Sequence, residues 1–561
     1  MTLGRSRAGH TRWIIASATV SLLVIVPVAV VLANLARDSG GVWEHLAETR
    51  LAEYVGNTIF LGIAVTTIAT IIGVATAWLL TACRFPGCGV LTWAQLLPLA
   101  VPGYIAAYAM TDLLQFAGPV QTALRSWTGW AGGEYWFPAV RSLPGATVIL
   151  AMSLYPYVFF AARASFLTLP TSVLEAGRTL GRGSLGTFLS VAMPLAGPAI
   201  AASSLLVVME TVADFGTADY CAVDTLATGI YRTWLGLDSI VGAAQLSSLL
   251  LMGVLVLIVA ESVARGRRRF HQTAARDAKS HRRHLRGFAG IGALAACALP
   301  VLLGFALPAG RLLWLAVSSW DPADAERLLG HGRNTVALAG ISSVLAVSLA
   351  VIVVFTKRLH VGRLPRAIAV ACRMGYAIPG PVIAIGLLLA LGWIDHRIND
   401  ASRWLRPDSA LPGLLLTGSV TALLIGYQTR FLAVALAVID TGMLRINRKL
   451  DDAARGLGAR PGNMLARIHA PLLRASLFAA GLLVFVDVVK ELPATLMLRP
   501  FNVDTLAVHV YQLASDERLD SAAPAALAIV VVGVLPAIVL HRLLARPVHG
   551  QARSRPEQPD A

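Results

Sequence analysis

LEAGRTLGRGSLGTFLSVAMP, residues 174–194, decides the fold, because a second copy, DDAARGLGARPGNMLARIHAP, occupies residues 451–471. In each copy an acidic residue is followed by alanine, then by glycine six positions on and by proline nineteen positions on. These positions are Glu175, Ala176, Gly181 and Pro194 in the first copy, and Asp452, Ala453, Gly458 and Pro471 in the second, 277 residues later. Small and apolar residues at helical spacing predict a short amphipathic helix that the glycine ends. A new apolar helix is predicted to begin near the proline.

Composition indicates the medium in which these loops lie. The chain has 561 residues, of which 56% are hydrophobic and 14% are charged, and its mean hydropathy is +0.68. Because roughly 20 apolar residues cross a bilayer as a helix, the sequence predicts an all-α polytopic membrane protein. Twelve spans are predicted near 13–35, 56–82, 90–113, 144–166, 191–213, 241–264, 288–318, 334–355, 367–392, 410–437, 473–495 and 523–546.

Positive charge predicts the orientation. Arg and Lys fall mainly before the first span and in the loops after even-numbered spans. Since such loops stay in the cytoplasm, both termini and both copies of the repeated stretch are predicted to be cytoplasmic. The net charge of +16 then reflects orientation, with lipid headgroups as a possible contact. Basic residues interleaved with aromatic ones, which would indicate a nucleic-acid surface, are absent from the sequence.

Other landmarks recur at the same offset of 277. Asn57-Thr58 matches Asn334-Thr335, Pro102-Gly103 matches Pro379-Gly380, Glu210 matches Asp487, and Asp214 matches Glu491. Together they predict an internal duplication into two parallel six-helix repeats. The predicted boundaries are a first half at 1–264 with its loop at 171–194, a basic cytoplasmic linker at 265–287, a second half at 288–546 with its loop at 448–471, and a polar tail at 547–561.

Four acidic residues are the candidate pathway or gate. Glu210, Asp214, Asp487 and Glu491 lie 16 to 20 residues after the repeated proline, near the predicted outer ends of their helices. Ionisable groups at membrane depth are costly and usually face a cavity or a partner. Two interpretations stay open: a gate or transient cation site formed by Asp214 and Glu491, and a simple ion pair such as Asp487 with Lys490.

Two further features have open interpretations. The breaks at Pro102-Gly103 and Pro379-Gly380 either line a substrate path or are kinks for packing. The outer loop 114–143, with Glu134, Tyr135 and Trp136, either contacts a binding protein or anchors at the membrane interface.

The sequence indicates no catalytic residues, no cofactor and no metal site. None of its four lysines follows a glycine, so the Gly-Lys-Ser/Thr loop that cradles nucleotide phosphates is missing. Cysteines and histidines show no ligand spacing.

The acidic-Ala pattern with Gly at six and Pro at nineteen resembles the EAA loop of binding-protein-dependent ABC importer permeases, although the copies read E-A-G and D-A-A rather than E-A-A. Over its whole length the chain resembles two fused permease domains of the type I importer class. The stretches KELPATL (490–496) and ETVADFGT (210–217) are most similar to the ferric-iron type.

This resemblance implies an inner-membrane permease subunit without enzymatic activity. It implies that the repeated helices dock on two separate ATPase subunits and that a periplasmic binding protein delivers the substrate. The implied docking face consists of Val173, Ala176, Leu180, Leu450, Ala453 and Leu457, with polar contacts from Glu175 and Asp452. The alternatives are a permease for thiamine, phosphonate or polyamine, and a twelve-helix ion-coupled carrier.

Overall fold

The computed structural model describes residues 2–169, 175, 179–181, 183–266, 283–360, 362–405 and 411–545. Within these ranges the regular structure is helical except for two paired two-residue parallel strands, β1 (Cys83–Arg84) and β2 (Arg283–His284). The predicted all-α polytopic fold is therefore confirmed. Val173 and Ala176 of the predicted docking face, most of the linker and the tail 547–561 lie outside the described residues.

The first half contains α1 (Thr2–Ala33), α2 (Val42–Thr49), α3 (Leu51–Ala82), α4 (Cys88–Ala94), α5 (Gly103–Leu114), α6 (Pro119–Thr128), α7 (Leu143–Leu167), α8 (Ser184–Thr187), α9 (Met193–Ala213), α10 (Gly216–Tyr220), α11 (Leu226–Gly236) and α12 (Ile240–Gly266). A 3-10 turn at Leu97–Ala100 precedes α5, and a π turn at Phe188–Ala192 joins α8 to α9.

The second half contains α13 (Gly287–Val301), α14 (Leu307–Ser318), α15 (Pro322–Leu359), α16 (Arg363–Met374), α17 (Gly380–Leu405), α18 (Val420–Leu444), α19 (Lys449–Gly456), α20 (Pro461–Met464), α21 (Ala470–Val489), α22 (Pro493–Leu498), α23 (Leu506–Ser515) and α24 (Leu519–Ala545). π turns lie at Leu302–Ala306 and Leu465–His469, and a 3-10 turn at Gly375–Ala377 precedes α17.

Element boundaries in the two halves recur at the sequence offset of 277. Helices α7 and α18 each have 25 residues and begin at 143 and 420. Helices α8 and α20 begin at 184 and 461, and the π turns after them begin at 188 and 465. The similarity therefore extends from isolated landmarks to the helices themselves.

The described residues contain ten helices that are long and apolar enough to cross a membrane, compared with the twelve predicted spans. The predicted span 90–113 is instead a helix pair bent by 96°, Cys88–Ala100 and Gly103–Thr128. Val101 before Pro102 is extended, because a residue that precedes proline avoids the helical region. Ile378 before Pro379 is extended for the same reason, so the predicted span 367–392 is also interrupted. The predicted last span, 523–546, falls almost entirely within α24.

The repeated prolines lie inside long helices rather than at their starts. Pro194 and Pro471 directly follow the π turns, within spans Leu185–Ala213 and Pro461–Val489. Proline has no N–H, and its ring crowds the carbonyl of the preceding turn. The wider π turn provides the extra room, so the helix begins about two turns earlier than the sequence predicts.

The first helix of each half packs against the other half. Helix α1 lies against α15, α16 and α17, and the Thr429 hydroxyl donates to the Leu23 carbonyl at 2.8 Å. Helices α13 and α14 lie against α3, α4 and α5, and the Gln95 amide donates to the Cys297 carbonyl at 2.6 Å. Each half therefore completes the packing of the other.

The repeated Asn-Thr pair has a structural role that is the same in both halves. Its asparagine amide donates to a backbone carbonyl just before a short helix, and its threonine hydroxyl accepts from the first N–H of that helix. The contacts are Asn57 to Asp224 O (2.8 Å), Leu226 N to Thr58 (2.9 Å), Asn334 to Asp504 O (3.2 Å) and Leu506 N to Thr335 (2.8 Å). Helices α11 and α23 are thereby tied to the long helices α3 and α15.

Candidate functional site

The second repeated loop presents most of its predicted docking face to the outside. Asp452, Ala453 and Leu457 are exposed, Leu457 to 89%. Asp451 and Ala454 lie on the opposite, buried face of α19. Gly458 follows with a φ of +75°, in the left-handed region where glycine commonly ends a helix. The outward face is therefore apolar with an acidic neighbour, as docking on a partner protein would require.

Part of the first repeated loop is described. Glu175 and Leu180 are exposed, Leu180 to 81%. Gly181 has a φ of +80°, close to the value at Gly458. Both copies thus place their glycine in the same turn conformation.

One cavity brings together all four predicted pathway residues. It has a volume of about 140 Å³ and lies where the ends of α9 and α21 meet the starts of α5 and α22 and the side of α18. Its charged lining residues are Glu210, Asp214, Arg430, Asp487, Lys490 and Glu491. Both halves of the chain therefore contribute carboxylates to a single site.

Asp214 and Glu491 cap the short helices that follow them. Asp214 accepts hydrogen bonds from the Thr217 N–H (2.9 Å), the Thr217 hydroxyl (3.0 Å) and the Ala218 N–H (3.1 Å). Glu491 accepts from the Ala494 N–H (3.0 Å), the Thr495 N–H (2.9 Å) and the Thr495 hydroxyl (2.6 Å). Carboxylates at these positions satisfy the free N–H groups of a helix start and complement its dipole. Most of their hydrogen-bonding capacity is therefore engaged in holding the cavity wall.

Glu210 and Asp487 occupy matching positions one turn earlier and face side-chain cations. Lys490 Nζ lies 2.8 Å from Asp487 Oδ1, the ion pair that the i, i+3 spacing predicts. Arg430 Nη2 lies 3.9 Å from Glu210 Oε2, and its Nη1 lies 3.4 Å from Glu491 Oε1. Arg430, in the second half, thus connects a carboxylate of the first half with one of its own.

Sequence reasoning missed Arg430, Tyr157 and Tyr376, which also line the cavity. Arg430 carried a signal, because it is the one charged residue in the predicted span 410–437, and such residues usually face a cavity or a partner. The two tyrosines carried none, because an aromatic residue in an apolar helix is ordinary.

The two helix breaks bring glycine backbone against the capped short helices. A Cβ on Gly103 would lie 2.7 Å from Thr217 Oγ1. A Cβ on Gly380 would lie 3.0 Å from Arg430 Nη1 and 3.2 Å from Glu491 Oε1. The first break therefore lines the cavity, whereas Gly380 of the second lies beside two of its charged residues, so the choice between a lined path and a plain kink stays open for the second break.

The cavity is lined by more carboxylates than side-chain cations. It contains four carboxylates and two side-chain cations, and Asp214 and Glu491 spend most of their oxygens on N–H groups. Among the described residues, no three His, Cys, Asp or Glu side chains converge as a metal-ligand set. The arrangement therefore suits transient contact with a cation better than permanent metal binding.

The outer loop is a separate exposed surface. Trp127 and Trp136 are largely exposed, whereas Tyr135 is held by hydrogen bonds from Arg125 and to Gln121. The loop thus combines a fixed frame with two free aromatic side chains.

Comparison with known proteins links these features to membrane transport. The chain is 24% identical over 513 residues to the Fe(3+)-transport system permease protein FbpB 2 of Haemophilus influenzae, covering 89% of this chain and 91% of the relative. It is 25% identical over 549 residues to a probable ABC transporter permease protein, y4fN, of Sinorhizobium fredii, covering 91% of each. A shorter match, 28% over 144 residues, links 26% of this chain with 60% of the molybdenum transport permease ModB of Escherichia coli. No family model matches the chain.

Proposed function

We propose that this chain, a permease of the ABC-importer type, forms both halves of the membrane pathway for ferric iron. The observation that carries the choice of substrate is the cavity in which four carboxylates outnumber two side-chain cations. Relatives that match most of the chain include permeases named for Fe(3+) transport and for ferric transport. Carboxylate oxygens are hard donors, which suit hard cations of high charge.

The cavity argues against the oxyanions that the names of shorter-matching relatives suggest. Molybdenum and sulfate permeases match parts of the chain. An oxyanion would need free cationic side chains or free helix N-termini. Here Lys490 is paired with Asp487, Arg430 is paired with Glu491, and the starts of α10 and α22 are capped by carboxylates. The described lining thus offers an anion little that is not already engaged.

The energy source in this proposal is a pair of separate ATPase subunits. The sequence has no phosphate-binding loop of its own. The two docking helices are the helix predicted at the exposed residues Glu175 and Leu180, and α19, which contains the exposed Ala453 and is followed by the exposed Leu457. Each would move with one ATPase and transmit that motion to α9 or α21, whose far ends carry Glu210 and Asp487.

The proposed arrangement in the cell follows the charge pattern. The chain lies in the inner membrane with both termini in the cytoplasm, its halves 1–264 and 288–546 side by side. A periplasmic binding protein delivers iron to the opposite face, where Trp127 and Trp136 are exposed.

Uptake of radiolabelled ferric iron by proteoliposomes tests the proposal. The vesicles contain this chain, its ATPase and its binding protein, with ATP supplied on the ATPase side. We expect uptake that requires ATP and is competed by Ga³⁺ but not by molybdate or sulfate. The double variant Gly181→Ala, Gly458→Ala, which strains both turns, should abolish uptake while the protein remains inserted.

Two other results would each change the conclusion. ATP-dependent uptake of molybdate or sulfate without uptake of iron would retain the importer and reject the substrate. Iron uptake driven by an ion gradient without the ATPase would reject the importer mechanism in favour of a carrier.

A further inference from the structure

The second docking helix is joined to the membrane helices by one buried guanidinium. Arg358, near the end of α15, is 7% exposed in its side chain, and its Nε lies 2.6 Å from Asp451 Oδ2 in α19. Its Nη groups donate to the carbonyls of Met443 (2.7 Å), Ile446 (3.0 Å) and Asn447 (3.3 Å). A planar, five-donor side chain is suited to fix several acceptors in one geometry. Arg358 therefore ties α15, the end of α18 and the docking helix α19 together.

A buried histidine extends this contact to a third membrane helix. His469 Nε2 lies 3.1 Å from the other Asp451 oxygen, Oδ1, a close approach without hydrogen-bond geometry, and its side chain is fully buried. It belongs to the π turn that leads into α21 and packs edge-on against Phe355 of α15 at 5.5 Å. We call Arg358, Asp451 and His469 the clamp.

The clamp holds the cytoplasmic ends of the two helices that carry charges into the central cavity. Helix α18 runs from the cavity residue Arg430 to Met443, about 20 Å at 1.5 Å per residue. Helix α21 runs from the clamp to Asp487, about 27 Å from His469 on the same scale. A displacement of α19 would therefore be passed along α18 to Arg430 and along α21 to Asp487.

The first half has no clamp at the matching positions. The residues 277 positions before Arg358, Asp451 and His469 are Thr81, Leu174 and Ala192. Thr81 is buried, and its hydroxyl has no hydrogen-bond partner. The repeat thus does not carry the three clamp residues into the first half.

We propose that the clamp is the connection by which ATPase closure at the second docking helix reaches the cavity. The inference rests on the proposed function, since it assumes that α19 docks on an ATPase. Removing one partner of a buried ion pair leaves an uncompensated charge. Loss of a clamp residue should therefore loosen α19 from α15, α18 and α21 while its outward docking face is unchanged. Arg358, Asp451 and His469 act as positioning residues.

The test is the number of ATP molecules hydrolysed per iron transported in the reconstituted system. For Asp451→Asn we expect this ratio to rise by about tenfold, within the range by which mutations change coupling between sites. The concentration of ATPase subunit that gives half-maximal binding should be unchanged. Arg358→Lys keeps the positive charge but loses the planar five-donor group. It should raise the ratio of ATP hydrolysed to iron transported by less than Asp451→Asn does. Thr81→Val, at the matching position of the first half, is the control and should leave the ratio unchanged.

The outcomes separate the clamp from the proposed function. Coupled transport by Asp451→Asn at the wild-type ratio would overturn the clamp and leave the importer intact. An equal rise for Thr81→Val would also overturn it, because the effect would not be specific to the second half. If Asp451→Asn fails to insert, His469→Gln and Arg358→Lys decide: a wild-type ratio in both, at wild-type melting temperature, rejects the clamp. A wild-type chain without ATP-dependent uptake would reject the importer itself.

Discussion

The two halves contribute differently to the central cavity, although the chain is built from a repeat. The first half supplies Glu210 and Asp214, and the second half supplies their counterparts Asp487 and Glu491. Both side-chain cations, Arg430 and Lys490, come from the second half. The first half has Ser153 and Ala213 at the same repeat positions, and both also line the cavity.

The carboxylates and the cations of the cavity are therefore distributed differently between the two halves. The carboxylates are present in both halves, so the cavity is acidic on each side of the interface between them. The cations are present on one side, so the first-half carboxylates depend on the second half for neutralisation. Arg430 reaches Glu210 across that interface at 3.9 Å, which makes contact between the halves partly electrostatic.

The largest effect is expected from removing Arg430. Arg430→Met leaves Glu491, which is 5% exposed, without its nearby cation, and leaves Glu210 without its contact across the halves. Loss of one member of a buried ion pair costs about 3–5 kcal/mol, so the free energy of unfolding should fall by that amount. Thermal unfolding of the purified protein in detergent measures the change as a lowered melting temperature.

The matched first-half variant is the control for this prediction. Ser153→Ala removes a buried hydroxyl that has no hydrogen-bond partner, and its effect should stay within about 0.5 kcal/mol. Equal melting temperatures for Arg430→Met and Ser153→Ala would contradict the asymmetric neutralisation.

The sequence predicted the features that recur in both halves and missed the residues that occur in one half only. The offset of 277 identified the loops, the helix breaks and all four cavity carboxylates, because duplication leaves paired landmarks. Arg430 has Ser153 as its counterpart, so no pairing drew attention to it. Arg358 lies among the loop charges that predict only orientation, because its burial in the clamp depends on how α15, α18 and α19 pack.

Helix ends were predicted less well than helix existence, for reasons that lie in the backbone. Pro194 and Pro471 suggested helix starts, but a π turn before each proline lets the helix continue through it. Pro102 suggested a kink, but the chain there turns by 96° between two short helices. The sequence shows that proline disturbs a helix, whereas the size of the disturbance depends on the packing around it.

A smaller difference is expected between the two carboxylates that match at Glu210 and Asp487. Asp487→Asn leaves Lys490, paired at 2.8 Å, as an uncompensated cation in the path of a cationic substrate. Glu210→Gln loses only the 3.9 Å contact with Arg430. We expect iron uptake to fall by about tenfold for Asp487→Asn, equivalent to about 1.4 kcal/mol, and by less for Glu210→Gln.

Initial rates of ATP-dependent uptake measure this difference, with Glu134→Gln in the exposed outer loop as the control. If Glu210→Gln lowers iron uptake more than Asp487→Asn does, the second half depends on the first-half carboxylate, and the proposed direction of the electrostatic dependence is wrong. Wild-type rates in both variants would show that these carboxylates do not contact the substrate.

A further difference is expected at the two glycines of the helix breaks, one in each half. A Cβ on Gly103 would lie 2.7 Å from Thr217 Oγ1, and that hydroxyl is held by its hydrogen bond to Asp214. A Cβ on Gly380 would have as its closest atom, at 3.0 Å, the flexible end of Arg430. Overpacking costs about 1–3 kcal/mol, so Gly103→Ala should lie toward the upper part of that range and Gly380→Ala toward the lower. Melting temperatures of the two variants compare them directly. A greater loss for Gly380→Ala would mean that Arg430 is held too rigidly to move aside, and the electrostatic contact between the halves would then be stiffer than its 3.9 Å distance suggests.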